Sequence, residues 1–144
     1  MAGKDSFTPE EWAIVRPVFL QSARGHLDTI RTGLTIWTTG GASPERLREL
    51  HRSMHSLKGA ALQLGFEHLG ETARLLEQVL REANESLESA WGWEEWIERG
   101  LLRLQDELTA IERDQDETRD ARFIADLQSW LTRIQETRPG ERAG

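Results

Sequence analysis

Cysteine is missing from all 144 residues, which excludes disulfides, thiolate zinc sites, iron–sulfur clusters and cysteine nucleophiles together. Positive charge is in short supply: 18 Lys and Arg stand against 25 Asp and Glu, a formal charge of −7. Nucleic-acid affinity comes from counterion release at clustered Lys and Arg, so no nucleic-acid partner is expected of this chain. No apolar run approaches the roughly 20 residues that span a bilayer, and Met1-Ala2-Gly3-Lys4-Asp5-Ser6 lacks the apolar core of a signal peptide. A cytoplasmic protein with no membrane partner is the expectation.

The residues that are present suffice for one domain over 1–144, with 38% hydrophobic and 30% charged side chains. Thr8-Pro9-Glu10-Glu11 reads as a capping box with proline at the first helical position, so a short helix is expected from Pro9. Pro17 lacks an amide hydrogen, which predicts a kink or a fresh start there. Phe19, Leu20, Ala23, Leu27, Ile30, Leu34 and Trp37 then mark a long amphipathic helix ending at a flexible Thr38-Thr39-Gly40-Gly41 linker. After the Ser43-Pro44 cap, Leu47, Leu50, Met54, Leu57, Ala61 and Leu64 define a second helix closing at Gly65. Phe66, Leu69, Ala73, Leu76, Leu80 and Ala83 define a third, joined by a turn so short that the two must be antiparallel neighbours.

Trp93, Trp96, Ile97, Leu101, Leu104, Leu108 and Ile111 give a fourth helix, and Phe123, Ile124, Leu127, Trp130, Leu131 and Ile134 a fifth. No segment alternates as a strand would, so the fold class is all-α. The expected architecture is an up-and-down antiparallel four-helix bundle, its core at about 17–112. A short N-terminal helical segment, an accessory helix at about 117–137 and a frayed tail at 138–144 complete it.

Most catalytic templates fail: there is no glycine-rich phosphate loop, no His-Glu-x-x-His and no strand for a nucleophile elbow. Met54-His55-Ser56-Leu57-Lys58-Gly59-Ala60-Ala61 is different, because His55, Lys58 and Gly59 share the helix face turned away from Leu50, Leu57, Ala61 and Leu64. Lys58 stands one turn after His55, where its ammonium can neutralise a phosphoryl group on the imidazole. Glycine in an exposed helix interior costs about 1 kcal/mol against alanine, and the gain at Gly59 is an uncrowded approach for a partner's active site. Folding the hairpin about Gly65 brings His55 level with the Arg74–Glu77 turn of the third helix. Glu77 is there either as the acceptor that fixes the His55 tautomer, or as an ordinary surface carboxylate paired with Arg74 or Arg81.

His55-Ser56-Leu57-Lys58-Gly59-Ala60-Ala61, followed by Leu64-Gly65-Phe66, Leu69 and Leu76-Glu77, resembles a histidine-containing phosphotransfer domain. The similarity is greatest to the N-terminal domain of chemotaxis-type histidine kinases, and Phe19-Leu20-Gln21-Ser22-Ala23-Arg24-Gly25-His26-Leu27 resembles its opening helix. The resemblance implies a phosphorelay carrier of two-component signal transduction. His55 is then the phosphoacceptor, Lys58 and Gly59 complete the motif, and Glu77 matches the carboxylate that orients the ring. Arg74 stands where that subfamily often has a second His, and its guanidinium is a candidate phosphoryl contact. The implied partners are a histidine kinase catalytic domain and a response-regulator receiver domain. The chain would be a monomeric carrier without a nucleotide site, a cofactor or a metal.

Three rival readings stand beside it. His51 and His55, one turn apart, could ligate a metal, but no further ligand set accompanies them. A sensor-kinase dimerisation helix also exposes a His, yet normally follows it with an acidic residue and a later proline, where this chain has Ser56 and Gly59. A scaffold bundle draws on Trp91, Trp93 and Trp96, of which Trp91 falls off the core stripe as a docking anchor would.

Overall fold

The computed structural model describes residues 6–137, and the tail expected to fray lies outside them. Among the described residues there are five α-helices: α1 (Pro9–Ile36), α2 (Pro44–Gln63), α3 (Glu67–Glu85), α4 (Trp93–Glu112) and α5 (Ala121–Thr137). Among the described residues there is no strand. Helices α1 to α4 pack in a closed ring, each against its neighbours in sequence and α1 against α4, and α5 lies on α3. The all-α four-helix bundle with an additional C-terminal helix is therefore the observed fold. No helix among the described residues is long and apolar enough to cross a membrane.

The local signals act as their chemistry dictates. The Thr8 hydroxyl accepts from the Glu11 amide at 3.1 Å while the Glu11 carboxylate accepts from the Thr8 amide at 2.8 Å, which closes the capping box. Ser43 caps α2 through the Arg46 amide at 3.1 Å. At the α2–α3 turn, Gly65 adopts φ 82°, and the amides of Phe66 and Gly65 bond to the carbonyls of Ala61 and Leu62 at 2.9 and 3.1 Å. Only a residue without a Cβ takes that left-handed position at no steric cost, so the hairpin is fixed by Gly65.

Two local expectations need correcting. The segment from Pro9 is helical but runs into α1 without a fresh start at Pro17. Pro17 and Ala13, whose carbonyl loses its usual donor, both lie on the exposed side, where water replaces the missing bond. The Thr38–Gly41 stretch is not a loose linker: Trp37–Gly41 forms one wide helical turn. The hydroxyls of Thr38 and Thr39 donate to the Thr35 carbonyl at 3.1 and 2.8 Å, and the backbone leaves helical geometry at Thr39 and Gly40, the latter at φ 108°.

The expected apolar stripes meet in one continuous core, with Ile30, Met54, Leu57, Leu76, Leu80, Ile97, Leu104 and Leu108 fully buried. Each such side chain contributes about 1.5–3 kcal/mol of burial. The tryptophans divide by function in packing. Trp37 meets Trp93 edge-on with ring centroids 5.3 Å apart, at the end of the bundle away from Gly65. Trp96 joins α4 to α5 through Phe123 and Trp130 at 5.9 and 6.2 Å, with the Arg99 guanidinium 4.3 Å above its ring. Trp91 projects into solvent, 83% exposed.

The connection that leads into α5 is tied to α3. In the α4–α5 connection, the Glu117 carboxylate accepts from the backbone amides of His68 and Leu69 at 3.0 and 2.8 Å. Phe66, at the N-cap of α3, offers no side-chain acceptor, so a residue far along the chain caps that helix instead. Arg119 adds a two-pronged pair to Glu71 at 2.8 and 3.2 Å.

Candidate phosphotransfer site

The site forms where α2 and α3 run side by side from the Gly65 turn. Their pairing buries Leu57 and Ala61 against Leu69, Ala73, Leu76 and Leu80, leaving His55 and Lys58 along the seam that Glu77 enters from α3. His55 Nδ1 lies 2.6 Å from Glu77 Oε2, and Lys58 Nζ lies 2.7 Å from Glu77 Oε1. Burial is graded across the trio: the side chain of Glu77 is 4% exposed, that of Lys58 22% and that of His55 62%. A nearly buried carboxylate thus anchors an imidazole that stands in water.

Burial pushes the Glu77 carboxyl up, but hydrogen bonds from Lys58 and His55 and their charges outweigh it, so the group is held below its ordinary range. Glu77 is therefore an anion at neutral pH, and an anion at Oε2 requires a hydrogen on His55 Nδ1. The lone pair of the neutral ring then resides on Nε2. Of the two pairings open to Glu77 from the sequence, the structure has the contact with His55; neither Arg74 nor Arg81 pairs with it among the described residues.

Gly59 has open space around it: a Cβ built there meets nothing within 4 Å. Internal packing does not demand glycine at this position. Gly70 contrasts with it, because a Cβ there would strike Leu62. Arg74 is exposed and forms no hydrogen bond or ion pair with His55, Lys58 or Glu77 among the described residues. Its charge acts on Glu71, and it lines a shallow cleft with His68 and Arg119 toward the hairpin end.

One residue at this site was weighed from the sequence only as a metal ligand. His51, one turn before His55, places Nε2 3.6 Å from the same Glu77 Oε2. Its spacing from His55 was visible, but the target of both rings was a carboxylate on another helix, which spacing along α2 does not reveal. Among the described residues, no group of three or more His, Asp or Glu is arranged to hold a metal ion.

A family model described as the Hpt domain matches residues 15–114, well over half of the chain. The chain belongs to the Hpt domain family. The matched span takes in most of α1 and all of α2 to α4, and α5 lies beyond it. Hpt domains are phosphocarriers of two-component systems rather than enzymes with nucleotide sites, and they work between kinases and response regulators. A general role in two-component phosphotransfer follows for this Hpt chain. No curated protein and no solved structure matches it.

Proposed function

We propose that this Hpt domain carries a phosphoryl group on His55 Nε2, taken from a histidine kinase ATP domain or a phosphorylated receiver and delivered to a response-regulator aspartate. The observation that carries the reading is the 2.6 Å contact between His55 Nδ1 and the buried Glu77 carboxylate, which leaves the exposed ring with its nucleophilic nitrogen outward. In the forward step the Nε2 lone pair attacks phosphorus and the bond from phosphorus to the leaving oxygen breaks. The leaving group departs as ADP or as the receiver's aspartate carboxylate. No proton has to move, because Nε2 carries none. The ring gains a positive charge as the nitrogen–phosphorus bond forms, and the Glu77 anion balances it through Nδ1–H.

Lys58 supports the same chemistry from the other oxygen of Glu77, keeping that carboxylate ionised, and stands beside the incoming phosphoryl group. Gly59 leaves the approach open for the partner's active site. Arg74, exposed one turn before Glu77, supplies a guanidinium that meets the phosphoryl oxygens once the group has arrived. The chemotaxis-type kinase resemblance favours a kinase ATP domain as the donor, and a cytoplasmic signalling system as its setting.

The test is phosphorylation by phosphoramidate followed by NMR of the four histidine rings, with and without a receiver domain. The expected result is selective labelling of His55 at Nε2 and discharge by the receiver, with His55→Gln folded and unlabelled. Uniform slow labelling of every exposed ring, with no receiver-dependent loss, would reject the carrier role.

A further inference from the structure

The Glu77 carboxylate has a third neighbour that phosphoryl transfer by His55, Lys58 and Glu77 leaves unused. His51 Nε2 is sealed from water, makes no hydrogen bond among the described residues, and lies 3.6 Å from Glu77 Oε2. That oxygen is the one that holds His55 Nδ1. Two imidazoles on one face of α2 therefore converge on a single oxygen atom of α3. A lone pair on His51 Nε2 would face an anion, so the nitrogen carries hydrogen and the ring's second site, Nδ1, is where a further proton binds.

We infer that His51 is a positioning residue whose charge sets how strongly Glu77 holds the Nδ1–H of His55, a reading that rests on His55 as the phosphoacceptor. When His51 is neutral, Oε2 serves chiefly His55, and the anion's pull on Nδ1–H raises electron density at Nε2. When His51 binds a proton, a full positive charge stands beside Oε2 and draws the carboxylate toward itself. The His55 ring is then less basic and a weaker nucleophile. His51 thereby links phosphoryl uptake to pH through a group that never touches phosphorus.

The surroundings fix where that switch operates. Burial lowers the His51 ring below its ordinary 6.5; Glu77 opposes this, and Arg81, His55 and Lys58 add to it. Arg48, Arg52 and Glu85 line the cleft on the open side of the ring, charges of both signs. His51 is accordingly neutral at physiological pH and charges only on acidification.

The experiment measures phosphoramidate labelling of His55 in the full chain from about pH 5 to about pH 8 for wild type, His51→Gln and His51→Lys. In this reaction the phosphorus–nitrogen bond of phosphoramidate breaks and ammonia leaves as the His55 Nε2–phosphorus bond forms. Glutamine keeps a neutral donor toward Glu77, so His51→Gln should label at the wild-type neutral rate and lose one inflection from the acid limb. Lysine holds a fixed charge, so His51→Lys should be slower than wild type by roughly three- to tenfold at neutral pH, with the gap closing toward the acid end as wild-type His51 itself charges. Nitrogen-15 NMR of the His55 ring should report a weakened Nδ1–H bond in His51→Lys alone. A merely structural role for His51 predicts that both variants slow alike with an unchanged pH profile, and that result overturns the inference while leaving His55 as acceptor. No labelling of His55 in the wild type at any pH would instead remove the phosphoacceptor reading and this inference with it.

Discussion

Lys58 Nζ lies 2.7 Å from Glu77 Oε1, so the ammonium that the motif places beside the phosphoacceptor is already bonded to the carboxylate that orients the acceptor ring. Lysine and histidine on α2 thus share one acidic partner on α3, and the same carboxylate that ties the two helices together contacts the proposed acceptor ring. Glu77→Ala should cost roughly 1–3 kcal/mol by leaving Lys58 and His55 without their common anion. It should also let the His55 ring sample both tautomers. Chemical denaturation reads the first effect and ring-nitrogen NMR the second; an unchanged tautomer population in the variant would contradict the orienting role.

The same carboxylate carries a pH signature. Glu77 is held below its ordinary value of 4.5 in the fold, so its stabilisation is complete above that value and is lost as pH falls through the lower folded value. Wild type should therefore lose stability below about pH 4.5 more steeply than Glu77→Gln. Parallel denaturation curves at successive acidic pH values check this, and equal slopes would contradict it.

How much of this was legible in the chain depends on the range of the interaction concerned. The stripes Leu47 to Ala61 and Leu69 to Ala83 needed only the 3.6-residue period, and Gly65 needed only its lack of a Cβ. His55 facing Glu77 followed from equal distances to that turn. Other features depend on partners that no periodicity encodes. Leu75, Val79 and Thr72 lie off the expected stripe of α3 and are buried all the same, because α5 lies over that helix. The Glu117 cap on α3 joins residues 48 and 49 positions apart, and nothing local to Phe66 announces it. Pro17 starts no new helix, because a lost hydrogen bond on an exposed helix face costs less than one in a core.

Gly59 separates folding from partner access. Nothing within 4 Å would meet a Cβ there, so Gly59→Ala should stabilise α2 by about 1 kcal/mol, the usual gain on removing glycine from a helix interior. Gly59→Trp should fold as well and accept phosphoryl from phosphoramidate at nearly the wild-type rate, while transfer to a receiver domain slows at least tenfold. Equal receiver transfer by wild type and Gly59→Trp would show that the open space is not used in docking.

The Glu117 cap can be removed without touching the core. Glu117→Ala deprives the His68 and Leu69 amides of their acceptor and should cost about 1 kcal/mol, as loss of a helix cap does. Amide exchange at those two positions should accelerate more than in the middle of α3. Uniform acceleration along the whole helix would mean that the connection acts by holding α5 in place and not as a cap.

Glu107 on α4 reverses the acid logic of Glu77. Its side chain is sealed in the interior with the residue only 2% exposed, and among the described residues neither carboxyl oxygen has a well-formed hydrogen bond, the neighbouring Thr72 hydroxyl being directed to the His68 carbonyl. Burial pushes this carboxyl up to about 8, against the opposing charge of Arg103. The folded chain therefore keeps a proton that the unfolded chain releases above its ordinary 4.5. Between those two values the native state binds more protons than the unfolded state, so stability falls as pH rises, by up to about 1.4 kcal/mol per unit. Glu107→Gln keeps the shape and removes the titration, so it should overtake wild type in stability as pH rises from about 6 to about 9, the window that brackets the raised value. Urea unfolding of both proteins at the two ends of that window decides the matter: curves that stay parallel would mean that water or a rearranged partner already satisfies Glu107 as an anion.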